Sequence, residues 1–352
     1  MHRDQSAHSS ETGFASSVLS RAFVAKALKP LAVLTTIGMF PVLVMGFLDT
    51  ITGSALGCGR SWPLCHGQFF PSPLTPQTAI EFGHRIGVPI ETVLIGLLFL
   101  GTLWLYRDRL EIKILAPTMV LAVVAQAVLG AFVVIYPSWT QSMIVPALHY
   151  GVSFISFVSI LLVAAHLYGL GHWDRLRDRP LPIRFKWLVW GLTAYTYLVV
   201  YLGAYVSHVG AALGCTQWPL CQNGSLLPSE NMSSQVIFIH RVAAALLVAG
   251  IAWLALWAYR LRRARPDMLT GSIIAVILVI VQAVDGAFIV FSGSSVVSRV
   301  VHPASIVLLF AAMSYLVFQT LPRQRSARAL LTPSAISRRD VSSAPEAVAP
   351  QS

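Results

Sequence analysis

The chain has 352 residues, of which 56% are hydrophobic and only 11% charged. A water-soluble domain carries about a quarter charged residues, so this composition excludes one and specifies an all-α integral membrane protein. The net charge of +11 is dispersed over short segments rather than gathered into a patch, which excludes a nucleic-acid-binding surface.

Residues 1–29 are polar and mixed in charge. They lack the apolar core of a signal peptide and are expected to form a disordered cytoplasmic tail; Asp4 and Glu11 disfavour a mitochondrial transit peptide. Eight apolar segments follow, at about 30–53, 79–106, 114–136, 142–169, 186–208, 235–259, 269–292 and 297–320, each near the ~20 residues that a bilayer helix needs. A loop rich in Pro and Gly, residues 54–78, follows the first segment. A very short connection, Tyr136 to Gln141, joins the third to the fourth. The charged stretch Gly171 to Arg184 lies between two halves of four helices each, so the plan is 30–170, a linker at 171–185, and 186–321. The remainder, 322–352, is rich in Ala, Ser, Pro and Arg and is expected to be disordered.

Basic residues set the orientation. Of 25 Lys and Arg, 21 fall in the two tails and the loops after helices 2, 4 and 6; the other side has Arg60, Arg85, Arg241 and Arg299. The positive-inside rule then places both termini in the cytoplasm, with the protein in the bacterial inner membrane or, alternatively, the mitochondrial inner membrane.

The halves are copies. Ala-Leu-Gly-Cys followed by Trp-Pro-Leu-Cys occurs at 55–65 and again at 212–221, and a helix carrying His-Arg follows each copy, as His84-Arg85 and His240-Arg241. Next comes Gln-Ala-Val-x-Gly-Ala-Phe, from Gln126 and from Gln282, and then one more histidine, His149 or His302. The offset is 156 residues from Cys65 to Cys221, from His84 to His240 and from Gln126 to Gln282, the signature of internal duplication. Two parallel repeats of four helices imply two pseudo-symmetric four-helix bundles.

All four cysteines lie in the repeated loops on the oxidising side. Short-range disulfides Cys58–Cys65 and Cys215–Cys221 are the natural reading; paired free thiols or a metal site are the alternatives. Zinc is disfavoured because each loop offers only two thiols.

His84 and His149 sit about six and seven residues into helices that enter from the same side, hence roughly 9 and 10 Å deep at 1.5 Å per residue. His240 and His302 repeat the placement. Two neutral imidazoles at one level on facing helices of a bundle can bind a haem iron from both sides, which points to one haem per half. Single intramembrane histidines often serve only as hydrogen-bonding partners between helices, but a duplicated, depth-matched pair is hard to explain that way. The remaining histidines, 2, 8, 66, 166, 172 and 208, lie in tails, loops or helix ends. Arg85 and Arg241 are candidate contacts for haem propionates, against the plainer role of interfacial arginines. Glu81 lies three residues before His84, on the same helix face, where the second half has Ile237. A one-sided carboxyl suits proton-linked chemistry, although it could equally hold a loop amide. Asp285, near mid-membrane, has Leu129 as its counterpart and no assigned role.

Over roughly residues 30–320 these features resemble the haem A synthase family: the four histidines, Glu81 within Glu-Phe-Gly-His-Arg, the Gly-Cys…Trp-Pro-Leu-Cys loops and the Gln…Gly positions. The resemblance implies an oxidoreductase that converts haem O to haem A, oxidising a porphyrin methyl to a formyl group by successive hydroxylations. It implies that His84 and His149 hold the substrate haem, with Glu81 as the catalytic residue, and that His240 and His302 hold a permanent haem b relaying electrons. Cys58 and Cys65 would form the disulfide above the substrate site. Haem O and membrane lipid are the implied partners, and contact with a haem O synthase, an electron donor and a second copy of the chain is compatible with it. A di-haem b-type cytochrome that leaves its haems unmodified is the main alternative, followed by a haem carrier and a thiol oxidoreductase; the last is disfavoured by the absence of a close Cys-x-x-Cys pair.

Overall fold

The computed structural model describes residues 5–136, 144–169, 172–222 and 224–322. It is helical: α1 (Gln5–Ile51), α2 (Pro76–Tyr106), α3 (Leu110–Ile135), α4 (Ile144–Gly169), the short α5 (His172–Arg177), α6 (Ile183–His208), α7 (Met232–Leu261), α8 (Pro266–Phe291) and α9 (Val296–Thr320). Eight of these helices are long and apolar enough to cross a membrane, as the composition requires. Among the described residues the only β pairing is an isolated bridge between Cys65 and Gln68.

Helix starts follow local chemistry. Thr75 caps α2 through its hydroxyl and Pro76 occupies the first turn; Asn231 caps α7, and Ser295 caps α9. One expectation is corrected. Helix α1 begins at Gln5, not near residue 30, and its membrane-spanning part runs from Arg21 to Ile51. Residues 15–29 contain neither Gly nor Pro, and Val18, Leu19, Phe23, Val24 and Leu28 recur at helical spacing, so the polar composition upstream does not stop the helix. The linker also contains helix α5 where an irregular charged segment was expected. Most of the Tyr136–Gln141 connection and the tail after Pro322 lie outside the described residues.

The two halves pack alike. In the first, α1 contacts α2, α2 contacts α3, α3 contacts α4, and α4 returns to α1; α6, α7, α8 and α9 close the same ring. The halves meet through α1 against α9, α4 against α9, and α4 against α6. An aromatic series follows this seam: Tyr150 and Phe154 (4.8 Å between centroids), Phe154 and Phe310 (6.4 Å), Phe310 and Tyr197 (5.2 Å), and Tyr197 and Tyr201 (5.1 Å). Gly151 allows this approach, because a Cβ there would lie 2.0 Å from the Tyr201 hydroxyl.

At the basic end, polar side chains bind the halves together. Arg177 of α5 pairs with Glu111 of α3, both nearly inaccessible to solvent. Its Nε also donates to Gln319 of α9 at 3.4 Å. Arg265 pairs with Asp267 at 2.7 Å and donates to the Gln319 carbonyl at 2.8 Å. Removing one partner of a buried pair leaves a bare charge, which costs about 3–5 kcal/mol, whereas removing both is far milder. Arg177→Leu is therefore expected to lower thermal stability in detergent, and Arg177→Leu combined with Glu111→Leu to recover most of the loss. Equal losses in the single and double variants would contradict this role.

Candidate functional site

Between the helices, toward the end that carries the cysteine loops, lies a cavity of about 1670 Å³. A single ligand pocket measures about 300–1,000 Å³, so the space is large enough for two sizeable ligands. All four expected histidines line it, His84 and His149 in the first half and His240 and His302 in the second. His84 and His149 interact electrostatically, as do His240 and His302. Each half thus brings its two imidazoles together, as the duplicated pattern predicts.

Counted from the helix starts the two halves match each other, while within each half the two histidines lie at different distances, not the near-equal ones expected from the sequence. His84 and His240 each lie eight residues past the starts of their helices, and His149 and His302 five and six residues past theirs. At 1.5 Å per residue these are about 12 Å and about 8–9 Å from the loop end. The first-half rings are set by the backbone. His84 Nδ1 donates to the Val42 carbonyl at 3.0 Å, and His149 Nδ1 to the Gln126 carbonyl at 2.9 Å. A carbonyl only accepts, so each proton sits on Nδ1 and each Nε2 lone pair is left for a ligand.

Glycines form the other wall. A Cβ at Gly46, Gly130 or Gly203 would stand 3.2, 3.3 or 3.1 Å from Cε1 of His84, His149 or His240, and one at Gly286 would stand 3.9 Å from His302. The glycine of the first Gln…Gly motif, Gly130, therefore provides room for an imidazole, whereas a Cβ at Gly286 would make only ordinary contact. Gln282 Nε2 donates to the His302 carbonyl at 3.0 Å and to Ser305 Oγ at 2.5 Å. Ser305 in turn donates to Asp285, which lies six residues from the loop end of α8 rather than near mid-membrane as expected, so this carboxylate closes a polar cluster behind His302.

Both cysteine pairs are disulfides, Cys58–Cys65 and Cys215–Cys221. The loops they close are held by the arginine that follows each α2- or α7-borne histidine. Arg85 Nη1 donates to the Ser61 and Leu64 carbonyls at 2.5 and 2.7 Å; Arg241 Nη1 donates to those of Gln217 and Leu220, both at 2.8 Å. These contacts correspond residue for residue across the duplication. Both arginines also line the cavity.

The first half departs from the second at Glu81. Its Oε2 accepts the Cys58 amide at 2.5 Å, and its Oε1 pairs with Arg85. Glu81 thus couples the disulfide loop to the cavity wall, the loop-amide partner that was open from sequence alone. Asp49, which sequence reasoning missed, also lines the cavity, interacts electrostatically with Glu81 and Arg85, and has a buried Oδ1 without a hydrogen-bond partner among the described residues. Its duplicate position holds Val206, and that mismatch was the available signal.

The donor set fits haem. Among the described residues no three His, Cys, Asp or Glu side chains gather as a bare metal ion would need. Paired imidazoles, an apolar cavity and glycine-lined rings instead suit a flat macrocycle ligated on both faces. The site is thus a cavity within a membrane-type helical bundle, lined by two histidines from each half.

The chain belongs to the COX15-CtaA family, described as cytochrome oxidase assembly protein, whose model matches residues 29–314. It is 37% identical to the heme A synthase of Geobacillus kaustophilus over 304 residues, covering 86% of this chain and 94% of that protein. It is 37% identical to the heme A synthase of Geobacillus thermodenitrificans over 320 residues, covering 91% and 99%. It is 38% identical to the heme A synthase of Bacillus cereus strain G9842 over 290 residues, covering 82% and 92%. The resemblance carried by the loop and histidine motifs is therefore one of family membership.

With Glu81 replaced by Ala, the Cys58 amide loses its acceptor and Arg85 its anion. Hydrogen exchange at the Cys58 amide is expected to speed up by about tenfold or more, in keeping with the 1.5–3 kcal/mol of a hydrogen bond to a charged group. Unchanged protection would show that the loop is held by Arg85 alone.

Proposed function

We propose that this chain is a haem A synthase of the bacterial cell membrane, with the cysteine loops outside and both termini inside. The carrying observation is the pair of imidazoles lining the cavity in each half, with carboxylates lining the cavity in the first half only. The first half, 30–170, takes haem O as substrate between His84 and His149. The second half, 186–321, keeps a haem b between His240 and His302. Haem supplies the redox chemistry when bound, and the chain supplies ligation, orientation and proton control.

In this reading the Val42 and Gln126 carbonyls hold the first-half rings in one tautomer, with Nε2 toward the substrate. Glu81, fixed between the Cys58 amide and Arg85, is the nearby group that can accept or return a proton as the methyl is oxidised. The disulfide loop above it shields the reacting edge from water. Arg85 and Arg241 take haem propionates with whatever donor capacity the loop carbonyls leave. An electron donor, a haem O synthase and a second copy of the chain are compatible partners.

A di-haem cytochrome that only relays electrons is the second reading. That the carboxylates lining the cavity belong to the first half alone counts against it, because two equivalent carriers have no use for the difference.

Co-expression with a haem O source, followed by chromatography of the extracted haems, separates the two. Haem A together with haem B is expected from the unaltered chain; haem B alone would favour the cytochrome. His84→Ala and His149→Ala are expected to abolish haem A while haem B remains, and Glu81→Ala to lower haem A by about a hundredfold, the scale of general acid–base catalysis. Normal haem A from Glu81→Ala would reduce that residue to a loop anchor.

A further inference from the structure

The charged residues that line the cavity divide unevenly between its halves. The first half contributes Asp49, Glu81 and Arg85, two carboxylates against one guanidinium; the second contributes Arg241 and Arg299, and no carboxylate. The same imbalance appears at matched positions. One turn toward the loop end from each cavity histidine, on the same helix face, stand Glu81, Pro146, Ile237 and Arg299. Glu81 therefore accompanies His84 as Arg299 accompanies His302, with opposite charge.

The three arginines are in different states. Arg85 is taken up by Glu81 and two loop carbonyls, and Arg241 by four loop carbonyls, those of Cys215, Gln217, Pro219 and Leu220. Arg299 belongs to α9, and its Nε is buried without a hydrogen-bond partner among the described residues. The serines around it are occupied with one another: Ser295 caps the helix at Ser298, and Ser292 accepts from the Ser295 amide and donates to Ser298. A buried cationic donor left without an acceptor is costly, and a carboxylate entering the cavity would complete it.

We propose that Arg299 binds a carboxylate of the second-half ligand, and that this contact, absent from the first half, makes the second pocket retain its ligand while the first exchanges. On the reading under Proposed function, that carboxylate is a haem propionate. The first pocket has Pro146 in place of this arginine, and its one guanidinium, Arg85, is already paired with Glu81, with Asp49 a second carboxylate nearby. The second pocket neutralises the propionate.

The test measures haem B content, the rate of haem B transfer from the purified protein to apomyoglobin, and the midpoint potential of the second-half haem. Arg299→Leu is expected to release haem B about ten- to a hundredfold faster, the worth of a charge-assisted hydrogen bond. Its midpoint potential is expected to become more negative, because the lost cation had disfavoured the ferric state. Arg299→Lys should lie close to the unaltered protein in potential and between the two in release rate, and Arg60→Leu, an exposed arginine of the first-half loop, should change neither. Unaltered release and potential in Arg299→Leu would overturn the inference. His302→Ala tells that failure from a failure of the site itself. Loss of haem B there with a silent Arg299→Leu removes only the role of Arg299, whereas full haem B content in His302→Ala removes the assignment of the pocket.

Discussion

The structure depends on four imidazoles brought to one cavity among apolar helices. A ring whose Nδ1 gives its proton to a backbone carbonyl presents its other nitrogen in a fixed direction, and this holds for the first-half rings, whereas Nδ1 of His240 and of His302 is buried without a hydrogen-bond partner among the described residues. In the first half the carbonyls of Val42 and Gln126 take the Nδ1 protons. Gly46, Gly130 and Gly203 then let rings approach neighbouring helices so closely that a Cβ at any of the three would make a tight contact. The four-helix ring, the caps that start α2, α7 and α9 at the loop end, and the histidine depths matched between the halves all serve this placement.

Duplication produced two equivalent frames, and later differences gave them distinct character. Conserved between the halves are the disulfide loops and the arginine that holds each loop by the same two carbonyl positions, Ser61 and Leu64 in one copy and Gln217 and Leu220 in the other. The frame is therefore mechanical in both copies. Different are the charges at the cavity wall: Asp49 and Glu81 on one side, Arg299 on the other. In a low-dielectric cavity such differences weigh more than they would in water, and they distinguish the two halves without altering the fold.

Spans, histidines and cysteine pairs were legible because hydropathy and a repeat at an offset near 156 residues are local or self-referential signals. The beginning of α1 was not, since polar composition in 1–29 masked an uninterrupted helical spacing. The coupling of Glu81 to the Cys58 amide and of Arg177 to Glu111 joins residues 23 and 66 positions apart, and no periodicity encodes such pairings. Asp49 and Arg299 were visible only as mismatches between copies, at Val206 and Pro146, and their meaning waited on the cavity they share.

Opposed imidazoles on one iron have a direct spectroscopic signature. Near-infrared magnetic circular dichroism of the oxidised, purified protein reads the axial ligands of each ferric haem. Bis-imidazole ligation is expected in both halves, with the first-half signal lost in His84→Ala and the second-half signal lost in His302→Ala. A high-spin spectrum, or a bis-imidazole signal that survives both substitutions, would contradict it.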